Sequence, residues 1–129
     1  MKDSIRYWLD LADYDLESAK VMLNGGRYLY VGFMCHQTVE KALKAVISSD
    51  LDGELPPKIH HLLKLADCAG IYNKMNEEQQ TFIKNLNPLN VEARYPAHSN
   101  NFIEGLSIDI CNELIQETEK MLCWIKQQL

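Results

Sequence analysis

The sequence predicts an all-α protein, an up-and-down bundle of four main helices with one or two short helices. Apolar residues recur every three to four positions through several long segments, which is the period of a helix. No segment shows the convincing alternation of apolar and polar residues that strands have. The pairs Gly25-Gly26 and Pro56-Pro57 separate the periodic segments. From 129 residues we expect a single domain that covers residues 1–129 and buries a core.

The first helix is expected to begin at Asp3 or Ser4, either of which can cap it, and to end at Asn24 before the glycine pair. One face carries a stripe of core residues: Ile5, Trp8, Leu9, Ala12, Leu16, Ala19 and Leu23. A second apolar edge lies nearly opposite and contains Tyr7, Leu11, Tyr14 and Val21. A helix with two apolar edges commonly packs on its own core with one and on another subunit with the other. Scattered surface aromatic residues are the alternative explanation.

The second segment, residues 27–49, is an apolar run of helix length and follows directly after the glycine pair. Both features predict an antiparallel hairpin whose second helix packs against several others. The apolar side of this helix holds Tyr28, Val31, Cys35, Val39, Ala42 and Val46. The remaining arc holds His36, Gln37, Glu40, Lys41 and Lys44, with Tyr30 and Phe33 among them. Aromatic residues within a polar arc indicate that a partner chain or a binding site covers this side as well.

Two shorter helices and a final long helix complete the prediction. A third helix is expected over residues 59–69, with an inward face of Leu62, Leu63, Leu65 and Ala66. Asn76 is suited to cap a fourth helix over residues 77–86, because acidic residues follow it in the first turn. The last helix should run from Leu106 or Ser107 to Gln127. Its buried residues are expected to be Ile110, Leu114, Thr118, Met121, Leu122 and Ile125.

Composition and charge exclude several classes of protein. The formal net charge of −5 argues against a general nucleic-acid coat protein, and no run reaches the roughly 18 apolar residues of a membrane span. Residues 1–15 lack the order of a signal peptide, so we expect a cytoplasmic protein. The four cysteines lack metal-ligand spacing and are expected to be reduced structural thiols. Residues 58–98 carry five cations against four anions, so an anionic ligand would favour this region.

The chain has no glycine-rich phosphate loop, zinc-protease motif or serine-hydrolase elbow, and we expect neither a cofactor nor a metal. Two groups of polar residues remain. In the first, His36, Glu40 and Lys44 lie four residues apart and so share one side of the second helix. A solvated, salt-bridged face is one interpretation. The other is a site in which the carboxylate tunes a histidine as a proton donor. His60 and His61 are interpreted as capping or packing residues, although either could join the site.

The second group, residues 94–98, lies in the polar segment before the last helix. Arg94 offers a planar fork for phosphate oxygens, and His98 can transfer a proton near neutral pH. RNA cleavage by attack of a 2′-hydroxyl needs this combination of base, acid and phosphate clamp. In the alternative interpretation, Arg94 pairs with a buried carboxylate such as Glu40 and the loop packs on the bundle.

The first hairpin carries A-x6-A-x3-L from Ala12 and H-Q-x-x-E-K-x-L-K-A from His36. Two further motifs follow, Lys58-x-His60-x-Leu62-x-x-Leu65 and then Ala93-Arg94-Tyr95-Pro96. In order and spacing, these motifs resemble the HEPN domain, a small prokaryotic all-helical family. The resemblance covers nearly the whole chain. It implies a helical bundle, usually a homodimer, here expected to pair through helix 1 and helix 2 surfaces. Such proteins are often encoded beside a minimal nucleotidyltransferase as a toxin–antitoxin-type pair.

The resemblance also implies candidate roles for single residues. Many members of the family look like metal-independent ribonucleases whose motif is Arg, four to six residues, then His, whereas only three residues separate Arg94 from His98. We therefore favour binding of a nucleotide or an RNA phosphate, with Arg94 as the clamp and Tyr95 as a stacking or packing residue. The predicted ligand-binding residues are Arg94, Tyr95, His36, Glu40, Lys44 and His60. RNA cleavage by Arg94 and His98 is one alternative, and a non-catalytic structural adaptor is the other.

Overall fold

The computed structural model describes residues 2–90 and 106–129 of the chain. Its helices are α1 (Asp3–Asn24), α2 (Tyr28–Ser48), α3 (Leu62–Cys68), α4 (Glu77–Leu86) and α5 (Ile108–Lys126), with a 3-10 helix at Tyr72–Lys74. These two ranges contain no strand. None of their helices combines the length and the apolar character that a membrane crossing requires. The predicted all-α helical bundle is therefore confirmed.

A glycine turn joins α1 to α2. Gly26 has a φ of 72°, in the left-handed region that glycine adopts without strain. The backbone N–H groups of Gly26 and Arg27 then donate to the carbonyl oxygens of Leu23 and Met22, at 3.1 and 2.8 Å. These bonds satisfy carbonyl groups in the last turn of α1. The glycine pair thus ends α1 at Asn24, as the sequence predicted.

α2 is the helix around which the others pack. It contacts α1 along its length and also packs against α3 and α5. Its apolar side is completely buried at Val31, Cys35 and Val39. Burial raises the pKa of the Cys35 thiol to about 12, so this side chain packs as a neutral group. The expected enclosure of this apolar helix by several others is confirmed.

The start of α4 confirms the predicted cap, whereas the start of α3 differs from the prediction. Asn76 caps α4, because its Oδ1 accepts a hydrogen bond from the Gln79 backbone N–H at 2.8 Å and the Gln79 side chain accepts one in return. α3 begins at Leu62 rather than at residue 59. Here His61 is the cap, since its Nδ1 accepts a hydrogen bond from the Lys64 backbone N–H at 3.4 Å.

The buried face of α5 agrees with the predicted one at Thr118, Met121, Leu122 and Ile125 and differs in the first two turns of the helix. Ile110 is 48% exposed, whereas Ile115 is buried, and Leu114 is only partly buried. The face that meets the core is centred on Cys111 and Thr118, both fully buried. Ile110 lies about 100° around the helix from Cys111, which turns it away from the core. Periodicity alone did not distinguish between these two overlapping apolar faces.

Candidate functional site

The polar side of α2 encloses a buried carboxylate. Glu40 is only 2% exposed and lies at the centre of a cluster with His36, Lys44 and His60. The Lys44 Nζ donates a hydrogen bond to Glu40 Oε2 at 3.2 Å. The His60 Nδ1 lies 3.0 and 3.1 Å from the two carboxylate oxygens. The solvated-face interpretation is therefore wrong for His36, Glu40 and Lys44, since all three are buried.

The cluster residues come from α2 and from the segment before α3, and a side chain of α1 packs beside them. The four-residue spacing on α2 aligns Lys44 with Glu40. Trp8 of α1 packs beside Lys44, whose Nζ lies 5.6 Å from the centroid of the indole ring. His60 comes from the segment before α3, which is held in place because the Leu62 backbone N–H donates to Asn87 Oδ1 at 2.9 Å. A tertiary contact, and not helical spacing, therefore adds His60 to the site.

His36 lies at the buried end of the cluster. Its side chain is fully buried, and its Nδ1 is 3.8 Å from Glu40 Oε1, which is too far for a hydrogen bond. Neither ring nitrogen makes a hydrogen bond within the described part of the chain. Burial lowers the pKa of His36 to about 4, although the negative charge of Glu40 acts in the opposite direction. His36 is therefore a neutral imidazole near pH 7.

The cluster opens to solvent at His60. The side chain of His60 is 50% exposed, while that of Glu40 beside it is 3% exposed. A half-exposed histidine held by a buried carboxylate is an arrangement that can transfer a proton or bind a polar ligand. Lys41, which neighbours the cluster on α2, is not part of it, because its Nζ pairs with Asp15 of α1.

The structure places only some of the predicted site residues. It brings His36, Glu40, Lys44 and His60 together, and their role in binding a ligand stays a prediction. Arg94, Tyr95 and His98 lie outside the described residues. His61 caps α3. Trp8 was predicted only as a core residue, and no signal in the sequence indicated that its ring would cover Lys44.

Several surface grooves of the described ranges lie away from the cluster. One of about 260 Å³ runs between α4 and α5 and includes Phe82, Glu117 and Met121 in its lining. None of the cluster residues lines it. We place the candidate site at the cluster rather than in this groove, because buried and mutually paired ionisable groups are the stronger sign of a functional site.

Comparisons with known proteins agree with the fold. TT1696 from Thermus thermophilus has a similar structure, with a TM-score of 0.84 and 22% identity, over 99% of this chain and 100% of that one. ST0689, an archaeal HEPN homologue, superposes with a TM-score of 0.73 at 23% identity, over 99% of this chain and 98% of that one. No curated protein matches significantly. The family model of the HEPN domain matches residues 5–128, and the chain therefore belongs to the HEPN domain family.

Proposed function

We propose that this HEPN protein is a cytoplasmic homodimer that binds a nucleotide or an RNA phosphate and acts with a minimal nucleotidyltransferase in a toxin–antitoxin-like pair. The observation that best supports ligand binding is the cluster of Glu40, Lys44 and His60. Glu40 and Lys44 are buried on α2, and His60 is half-exposed. Arg94 acts as the phosphate clamp and Tyr95 as a stacking or packing residue in this proposal. Both roles rest on the family resemblance.

The energetics of the cluster support a binding role. Burying a carboxylate and an ammonium group costs several kcal/mol per ion, and their attraction often only offsets this cost. Replacing such a pair by apolar residues of similar size often leaves the stability of the folded protein unchanged or raises it. A charged pair that lies under a half-exposed histidine is therefore better explained by a ligand than by stability.

The homodimer is supported by the second apolar edge of α1. Tyr7, Tyr14 and Val21 lie seven residues apart and are 58%, 71% and 66% exposed. A seven-residue spacing keeps these side chains on one side of the helix, as in helices that pair with another helix. In a two-fold symmetric dimer the same edge would be buried on both subunits.

Tyr14→Glu is expected to weaken the dimer by about thirtyfold or more, because a charge would be buried at the centre of the paired edges, where anchor residues contribute most. Analytical ultracentrifugation over a range of concentrations measures this change. Leu55→Glu is the matched control, since Leu55 is 74% exposed and lies in the loop after α2. Wild-type protein that sediments as a monomer at every concentration would reject the dimer.

Arg94→Ala is expected to weaken the binding of ATP or of a short RNA by about ten- to a hundredfold, the range for losing a charge-assisted contact to phosphate. Titration calorimetry in EDTA measures the affinity of wild type and variant. Arg27→Ala provides the control, because Arg27 is an exposed arginine in the turn between α1 and α2. Negligible binding by all three proteins would reject the ligand part and favour the adaptor. RNA cleavage in EDTA would favour the ribonuclease alternative instead.

A further inference from the structure

The groove between α4 and α5 combines an apolar floor with an acidic rim. Its two adjoining parts, of about 260 and about 460 Å³, share Glu78, Phe82 and Glu117 in their lining. The floor is formed by the partly buried ring of Phe82 and by Met121, which is 3% exposed. The lining extends over about two turns of each helix, or roughly 12 Å. This α4–α5 groove is therefore long enough for two turns of a third helix.

The rim of the α4–α5 groove has an excess of negative charge. Glu77 and Glu78 of α4 and Glu113 of α5 are exposed, and none of them forms an ion pair with another described residue. Glu117, the fourth carboxylate of the rim, pairs with Lys120 at 3.1 Å. The first turn of α4 favours acidic residues, but Glu113 and Glu117 lie four residues apart within α5, where like charges destabilise a helix. Cationic side chains in the groove would relieve this repulsion, whereas a phosphate group would add to it.

We infer that the α4–α5 groove binds a basic amphipathic helix of a partner protein. Large apolar side chains of that helix pack on Phe82 and Met121, and its lysine or arginine side chains pair with the carboxylates of the rim. An apolar helix without cations would desolvate these carboxylates and leave them unpaired. A second copy of this chain, with its formal charge of −5, complements the rim less well. The groove shares no residue with the buried cluster on α2 or with the second apolar edge of α1, so the inference does not rest on the proposed function.

The probe is a synthetic peptide of about eighteen residues, which is long enough to form a helix. It carries leucine at every third or fourth position and lysine at the flanking positions. Fluorescence anisotropy of the labelled peptide measures its affinity for the full chain. Glu78→Gln combined with Glu113→Gln should weaken binding by about three- to tenfold, the value of two partly exposed ion pairs. Asp10→Asn combined with Glu54→Gln is the matched control and should bind as wild type does, because it removes the same charge at two exposed residues outside the groove.

Two further measurements locate the peptide and show what holds it. In wild-type protein labelled with nitrogen-15, the peptide should shift the backbone NMR signals of residues 77–86 and 113–121 most strongly. Replacing the leucines of the peptide by alanine should weaken binding by more than about tenfold, since the apolar contacts are lost. These measurements are needed because an acidic protein attracts any cationic peptide.

Four outcomes would overturn the inference and leave the proposed function standing. They are the absence of binding by wild type, equal weakening in the two double variants, the largest NMR shifts outside the groove, and undiminished affinity of the alanine peptide. A fifth outcome concerns the other occupant. If Glu78→Gln combined with Glu113→Gln abolishes self-association in analytical ultracentrifugation and the control variant does not, a second copy fills the groove and the partner helix is excluded.

Discussion

Replacing Glu40 by alanine is expected to lower the free energy of unfolding by about 3–5 kcal/mol, the usual cost of removing one partner of a buried ion pair. Lys44 donates a hydrogen bond to this carboxylate at 3.2 Å, and its own exposure is 7%. Without Glu40, the ammonium group would stay buried beside the Trp8 ring with no counter-charge in the cluster. Urea denaturation followed by circular dichroism measures the difference between variant and wild type.

Two comparisons separate the effect of burial from that of an ion pair as such. Glu117 also pairs with a lysine, Lys120, at 3.1 Å, but the two side chains are 45% and 75% exposed. Glu117→Ala should therefore change the stability by less than about 1 kcal/mol. Replacing Glu40 and Lys44 together by methionine removes both charges and should recover most of the loss. If Glu40→Ala is no less stable than Glu117→Ala, burial of the Glu40–Lys44 pair does not make the loss of its carboxylate more destabilising than the loss of an exposed one.

The sequence was sufficient for those features that depend on neighbours along the chain. Helical periodicity predicted the bundle, and the four-residue spacing placed His36, Glu40 and Lys44 on one side of α2. It did not show what packs across from that side. The contact of His60 with Glu40 spans twenty residues, and Trp8 reaches Lys44 from another helix. The burial of the cluster is a tertiary property, which explains why a solvated face was a reasonable interpretation of the sequence.

The same limit applies to α5. Its cap at Ser107 and its length follow from local signals, because the Ser107 side chain accepts a hydrogen bond from the Ile110 backbone N–H at 3.2 Å. The choice of buried face does not, since Ile110 and Ile115 are equally apolar and only packing against α1 and α2 separates them. Residues 94–98, the other candidate site group, lie outside the described ranges, so their roles stay predictions from the resemblance.

His36 is expected to make the protein less stable in acid. Burial lowers its pKa from the ordinary value of 6.5 to about 4 in the folded state. Below pH 6.5 the unfolded chain therefore takes up a proton at this residue that the folded chain does not, and each such difference favours unfolding. Above about pH 6.5, protonation of His36 therefore does not affect the free energy of unfolding. As the pH approaches 4, it lowers this free energy by about 3 kcal/mol.

His36→Gln tests this expectation, because glutamine is a neutral polar residue that does not titrate. Urea denaturation of wild type and variant at about pH 7 and about pH 4 gives the loss of stability for each. Carboxylates titrate in the same range in both proteins, so the difference between the two losses isolates His36. Thr118→Val serves as control, since Thr118 is fully buried and does not titrate, so this substitution should leave the acid loss unchanged. An equal loss of stability in His36→Gln and wild type would mean that a neutral, buried His36 is not a source of the acid sensitivity.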